Sequence, residues 1–318
     1  MHKTFTAILL LMLMLVPQLS FAEEPQEGKS AILVVSFGTS MPEAQRAIDN
    51  LVNAAKKEFP SSDVYLTFTS NIIRRKLLRE NFEPLADIKN KSLNVNSEMF
   101  DKIMFLMNPV EILATLNDIG YSEVCVMPTH IIPGEEYDEI KNVRDSFANL
   151  RGKYGFKKII LAEPYLNGVA DCDRMAEILA ARFRNYLDEN SDTAVVLMGH
   201  GTPEHIANAM YSQLQLSLDK LLYGRFFLGT VEASPKIEDV IANLKRHPEI
   251  DRLVISPFMI VAGDHANNDL ADENDDESWI SILKANGYVK IEKYLVGLGE
   301  DENIRDDFVR KIQKAIDR

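Results

Sequence analysis

Two distant stretches of this chain are written to one pattern. An apolar, β-rich run, Ala31-Ile32-Leu33-Val34-Val35, ends at Ser36-Phe37-Gly38-Thr39 and passes through Met41-Pro42-Glu43 into a helical sequence. Ala194-Val195-Val196-Leu197-Met198 ends in the same way at Gly199-His200-Gly201-Thr202 and passes through Pro203-Glu204 into another helix, with the two Gly-Thr steps 163 residues apart. A second pair of strand ends, Pro128-Thr129-His130 with Gly134 and Pro257-Phe258-Met259 with Gly263, repeats at a spacing of 129 residues. A short buried strand that stops at a glycine turn and feeds a helix is the unit of an open α/β sheet. Its duplication predicts two similar doubly wound α/β half-domains, with mainly parallel sheets, facing a central cleft.

The rest of the chain fits that frame. Strands are predicted at 31–35, 64–69, 102–108, 124–127, 158–162, 225–231, 253–256 and 291–296. Helices are predicted between them, the clearest being the one that starts at Met41, with Thr39 or Ser40 as N-cap, Pro42 in its first turn and Ala44, Ile48, Leu51 and Ala55 on one face. A helix over 72–79 carries Arg74, Arg75, Lys76 and Arg79, and one helix is expected over 171–187. Residues 81–98 follow no clear period. The division expected is 1–22, 23–157 and 158–318.

Open α/β sheets place their sites at the carboxyl ends of strands. His130 and His200 stand at two such ends, on matching loops of opposite halves, while the equivalent positions hold Phe37 and Met259. One wall of the cleft is therefore expected to be dry and the other to carry nitrogen ligands. The glycines beside His200 allow a sharp turn and a close approach of a ligand. A loop histidine that only caps the next helix, or a duplicated fold without a site, are the plainer alternatives.

Residues 1–22, MHKTFTAILLLMLMLVPQLSFA, combine a basic start, a short apolar run and Ser20-Phe21-Ala22. They read as a signal peptide cleaved after Ala22, which predicts a periplasmic protein with no membrane span after cleavage; an uncleaved anchor is the alternative. The formal net charge of −13 argues against nucleic acid as a partner. With two cysteines, Cys125 and Cys172, the fold is not a disulfide scaffold.

Five motifs in register, SFGTSMPEA, PTHIIPGEEYD, LMGHGTPEHIANAMY, VEASPKIEDV and PFMIVAGDHANNDLADENDDESW, resemble the anaerobic cobaltochelatases of the CbiK type. The resemblance runs from about residue 31 to 300. It implies a class II chelatase that inserts Co2+ into sirohydrochlorin, a tetrapyrrole, in cobalamin biosynthesis. The family's metal ligands fall on His130 and His200, with the carboxylate ligand on Glu163 in LAEPYL. Two imidazoles and a carboxylate hold Co2+ or Fe2+ while leaving positions open for the macrocycle, and neutral histidine accepts a proton near pH 7. His200 is therefore expected both to bind metal and to act in catalysis. The substrate's carboxylates call for cations at the rim, for which Arg74 and Arg75 are the candidates. Glu232 and His265, at two further strand ends, are expected close to the substrate. An iron chelatase, or a periplasmic haem binder on the same scaffold, is the competing function, and association into a homo-oligomer is left open.

Overall fold

A computed structural model describes residues 28–81, 106–189 and 192–318. The signal peptide expected over 1–22 and residues 81–98, apart from Asn81, lie outside the described residues, as does most of the strand expected over 102–108.

The chain begins with β1 (Lys29–Ser36), α1 (Pro42–Glu58), β2 (Asp63–Phe68) and α2 (Asn71–Asn81). It continues through α3 (Pro109–Asp118), β3 (Tyr121–Pro128), α4 (Glu135–Ala148) and β4 (Lys158–Leu161). The second series is α5 (Val169–Arg182), α6 (Arg184–Glu189), β5 (Thr193–Gly199), α7 (Ala209–Leu222), β6 (Phe226–Thr230), α8 (Ile237–Leu244), β7 (Arg252–Pro257), α9 (Trp279–Ala285), β8 (Lys290–Lys293) and α10 (Glu302–Ile316). All pairings are parallel, in two four-stranded sheets ordered β2-β1-β3-β4 and β6-β5-β7-β8. The two parallel sheets are the similar half-domains that the repeated strand ends predicted, and their strand orders are identical. In each sheet the chain leaves the centre to build one edge and returns on the other side, so the switch points lie between β1 and β3 and between β5 and β7. The registers correspond as well: Val35 lies opposite Pro128, and Met198 opposite Pro257.

The central strands are buried on both faces, which is why β1 and β5 read as unbroken apolar runs rather than alternating ones. One cluster of buried side chains, including Val34, Ile48, Met127, Leu197, Phe258 and Phe308, runs through both halves, so they pack as one body. The outer face of each sheet has its own core, Val196 and Trp279 in the second half and Leu33 and Leu113 in the first.

Four local expectations are corrected. The division at 157/158 cuts the first sheet, because β4 pairs with β3. The C-terminal helix α10 also returns to the first half, packing on α1, β3 and β4, with Phe308 stacked on Tyr165 at 6.5 Å between ring centroids. The helix expected over 171–187 breaks at Phe183, whose ring is fully buried against Phe226 and Tyr294. At the start of α1 the N-cap is Met41, and Thr39 accepts the Met41 N–H at 3.1 Å from two residues upstream. Leu106 to Asn108 form no strand; the Asn108 side chain caps α3 and Glu111 returns a bond to the Asn108 N–H, closing a capping box. Both cysteines are free and buried. Among the described residues no helix is long and apolar enough to cross a membrane.

Candidate active site

The carboxyl ends of β1, β3, β5 and β7 meet at one cavity of about 1160 Å3, counting the part open to solvent. Each central strand delivers the residue that the repeat placed there: Phe37, His130, His200 and Met259 all line it. The duplicated scaffold thus presents two histidines and two apolar side chains to one space. Ile73, Ile131, Phe258 and Ile260 extend the apolar part of the wall, a surface suited to a flat, largely apolar ring.

His200 follows the last residue of β5. Its Nδ1 lies 2.8 Å from the Gly201 carbonyl oxygen. A carbonyl only accepts, so Nδ1 carries the proton and Nε2 is left as a lone pair. The turn depends on Gly201, whose φ is +84° and where a Cβ would stand 2.8 Å from the Ala233 Cβ. His200 Nε2 is 3.9 Å from Glu232 Oε1.

His130 follows β3 and is held in the opposite state of solvation. Its side chain is 8% exposed, and neither ring nitrogen has a hydrogen-bond partner. Burial, helped by the nearby His200, pushes its pKa down to about 4, so the imidazole stays neutral with an unused lone pair. Glu136, in the first turn of α4, comes within 3.9 Å of His130 Nε2. Burial raises the Glu136 pKa; His200 opposes the rise, while Glu232, Glu139 and Glu135 add to it. A dication brought to these imidazoles would reverse that balance and favour the carboxylate.

His265 joins the same group. Its ring meets His200 edge-on, with centroids 4.9 Å apart. Asp269 Oδ2 lies 2.5 Å from His265 Nδ1, so the proton sits on Nδ1 and Nε2 is again the free lone pair. The pair spans a π-helical turn, Ala266–Leu270, a departure from α geometry that recurs at functional sites.

The structure therefore gathers His130, His200 and His265, with Glu232 beside His200. It does not bring Glu163 to them. Glu163 stands past the end of β4, outside the cavity wall, and its carboxylate is taken by Lys314 Nζ at 2.8 Å and Arg318 Nη2 at 2.5 Å. Burial pushes its pKa up, but the bonds from Arg318 and Lys314 outweigh that and bring it to about 2. Arg74 is not a rim cation either: it is buried, donating to the Leu106 carbonyl at 2.9 Å and Asn71 Oδ1 at 2.5 Å, with Glu111 3.8 Å away. Arg75 is exposed on α2 and is not part of the wall. Sequence reasoning passed over Glu136 and Asp269. Their one signal is position, six residues after His130 across the Pro-Gly turn and four after His265. Among the described residues, no three His, Cys, Asp or Glu side chains are already close enough to enclose a metal ion.

A family model, cobalt chelatase (CbiK), matches residues 30–317. The chain belongs to the CbiK cobalt chelatase family. Among curated relatives, the sirohydrochlorin cobaltochelatase of Salmonella typhimurium is 30% identical over 292 residues, covering 91% of this chain and 97% of that protein. The sirohydrochlorin cobaltochelatase CbiKC of Nitratidesulfovibrio vulgaris is 29% identical over 288 residues, 91% of each chain. Among solved structures, SirB from Bacillus subtilis with Fe3+ superposes with a TM-score of 0.54 at 14% identity, covering 90% of this chain and 95% of that one. At that identity the likeness concerns the fold, and it is the α/β chelatase fold. The resemblance carried by the five motifs holds along the chain.

Proposed function

We propose that this CbiK-family protein inserts Co2+ into sirohydrochlorin, with both the ion and the tetrapyrrole as substrates. The observation that carries the reading is the set of free imidazole lone pairs on one cavity wall, His130 with no hydrogen-bond partner and His200 with only Nδ1 engaged. The names of the two curated relatives supply the substrate. Neither is named for haem or iron, and the competing haem- or iron-handling function gains nothing from them.

Insertion requires a partly dehydrated Co2+ to meet a macrocycle that loses two pyrrole N–H protons. His130 and His200 hold the ion through nitrogen, with Glu136 as the carboxylate nearest to His130. Glu163 would first have to leave Lys314 and Arg318. The ring lies against the apolar wall at Phe37 and Met259, its nitrogens toward the histidines. His265 takes up one proton at Nε2, and His200 takes the other at Nε2 once the ion has left that nitrogen for the ring. Asp269 holds the His265 tautomer in which that nitrogen is free.

The test is cobalt insertion into sirohydrochlorin by the purified protein, followed by the absorbance change, with Fe2+ in parallel and His200→Ala as control. Insertion no faster than the spontaneous rate would overturn the reading. We further propose that residues 1–22 direct export to the periplasm. N-terminal sequencing of the protein from its native cell should begin at Glu23, and Met1 on a membrane-bound form would refute it.

A further inference from the structure

The described cavity wall carries Glu136, Asp264 and three histidines but no Lys or Arg. A tetrapyrrole bearing several carboxylates would find hydroxyls and imidazoles there but no Lys or Arg, and like charge at Glu136 and Asp264, which at close range in a partly dry site costs binding energy. A cation that reaches the wall from outside it would supply the charge the described wall lacks. The basic helix α2 is the source the sequence suggested, and the structure separates its members. Arg74 is turned inward on Leu106 and Asn71. Arg79 folds back along its own helix onto the Arg75 carbonyl.

Lys76 is different. Its Nζ donates to Ser40 Oγ at 3.0 Å, and Ser40 is a wall residue. Ile73, one helical turn earlier on the same face of α2, lines the same cavity. Among the described residues no carboxylate neutralises Lys76; its one polar partner is a neutral hydroxyl. A serine hydroxyl is a weak partner for an ammonium and is readily exchanged for a carboxylate. The topology also polarises the cleft. In the order β2-β1-β3-β4, Lys76 follows β2 and stands on one side of β1, whereas Glu136 follows β3 and stands on the other.

We infer that Lys76, parked on Ser40, is the contact for a peripheral carboxylate of the tetrapyrrole and so turns one edge of the macrocycle toward α2. The opposite edge then faces the histidines and Glu136, the side from which the cation is presented. This rests on the proposed substrate being a polycarboxylate tetrapyrrole.

The experiment is steady-state cobalt insertion into sirohydrochlorin by wild type, Lys76→Ala and Lys76→Arg at low and high ionic strength, with calorimetric Co2+ titration of each. Lys76→Ala should raise KM for the tetrapyrrole about three- to tenfold, the range for one charge-assisted contact at an exposed rim. Its kcat and Co2+ affinity should stay within about twofold, since Lys76 touches neither imidazole nor Glu136. Lys76→Arg should restore most of the loss, and added salt should raise the wild-type KM toward that of Lys76→Ala. An active wild type with an unchanged KM in Lys76→Ala overturns this inference and leaves the proposed reaction standing. A wild type that inserts no cobalt overturns the proposed reaction and, with it, the carboxylate contact.

Discussion

The buried imidazole of His130 makes a prediction that needs no substrate. In the folded chain its pKa is lowered to about 4, first by burial and then by the proximity of His200. An unfolded chain holds the same group near its reference value of about 6.5. Below that value the unfolded state binds a proton that the folded state refuses, so stability falls as the pH drops from about 6.5 toward 4. For these two values the linkage relation gives a loss of about 2.5 kcal/mol at pH 4.5 relative to pH 8. That is a large share of the roughly 5–15 kcal/mol that stabilises a typical fold. Replacing His130 by Leu removes the titration while keeping a side chain of similar bulk. Urea unfolding of metal-free wild type and His130→Leu, in the presence of a chelator at pH 8 and pH 4.5, measures the difference. Wild type should lose about 2.5 kcal/mol more than the variant between the two pH values. Parallel losses would show that His130 is protonated as readily in the fold as out of it, and would refute the argument from its burial.

Three further outcomes follow from the site geometry. Glu136→Gln should weaken Co2+ binding by about 10–100-fold in calorimetric titration, whereas Glu163→Gln should leave it within about twofold and cost about 0.5–1 kcal/mol of stability, a small value because Lys314 and Arg318 are half exposed. The reverse pattern would return the carboxylate role to Glu163. Gly201→Ala forces a Cβ against Ala233 at a φ of +84°, so melting should show a loss of about 1–3 kcal/mol and cobalt insertion should fall with it; a stable, active variant would show that the turn beneath His200 is not constrained. Asp269→Asn should lower turnover about tenfold, with Asp269→Glu partly restoring it, while Co2+ affinity changes little; equal activity in both variants and wild type would remove Asp269 from the reaction.

The features legible in the sequence are those that short stretches of chain decide. Apolar runs of four or five residues stopping at Gly-Thr or Pro-Thr-His mark strands and their carboxyl ends, because a buried parallel strand needs apolar residues on both faces and a turn needs glycine. Their repetition therefore foretold two similar parallel sheets facing one cleft, and with them the placement of Phe37, His130, His200 and Met259 on one cavity. Which carboxylate and which cation belong to that cavity was decided only by the tertiary structure. Glu163 sits past a strand end as His130 does, yet its oxygens are held by Lys314 and Arg318, brought back by a C-terminal helix that packs on the first sheet. Arg74 and Lys76 are two residues apart on one helix, and the turn of that helix sends the first into the protein and the second to Ser40. A side chain's direction, and the partner it finds in the fold, depend on residues far away along the chain, and no local pattern encodes them.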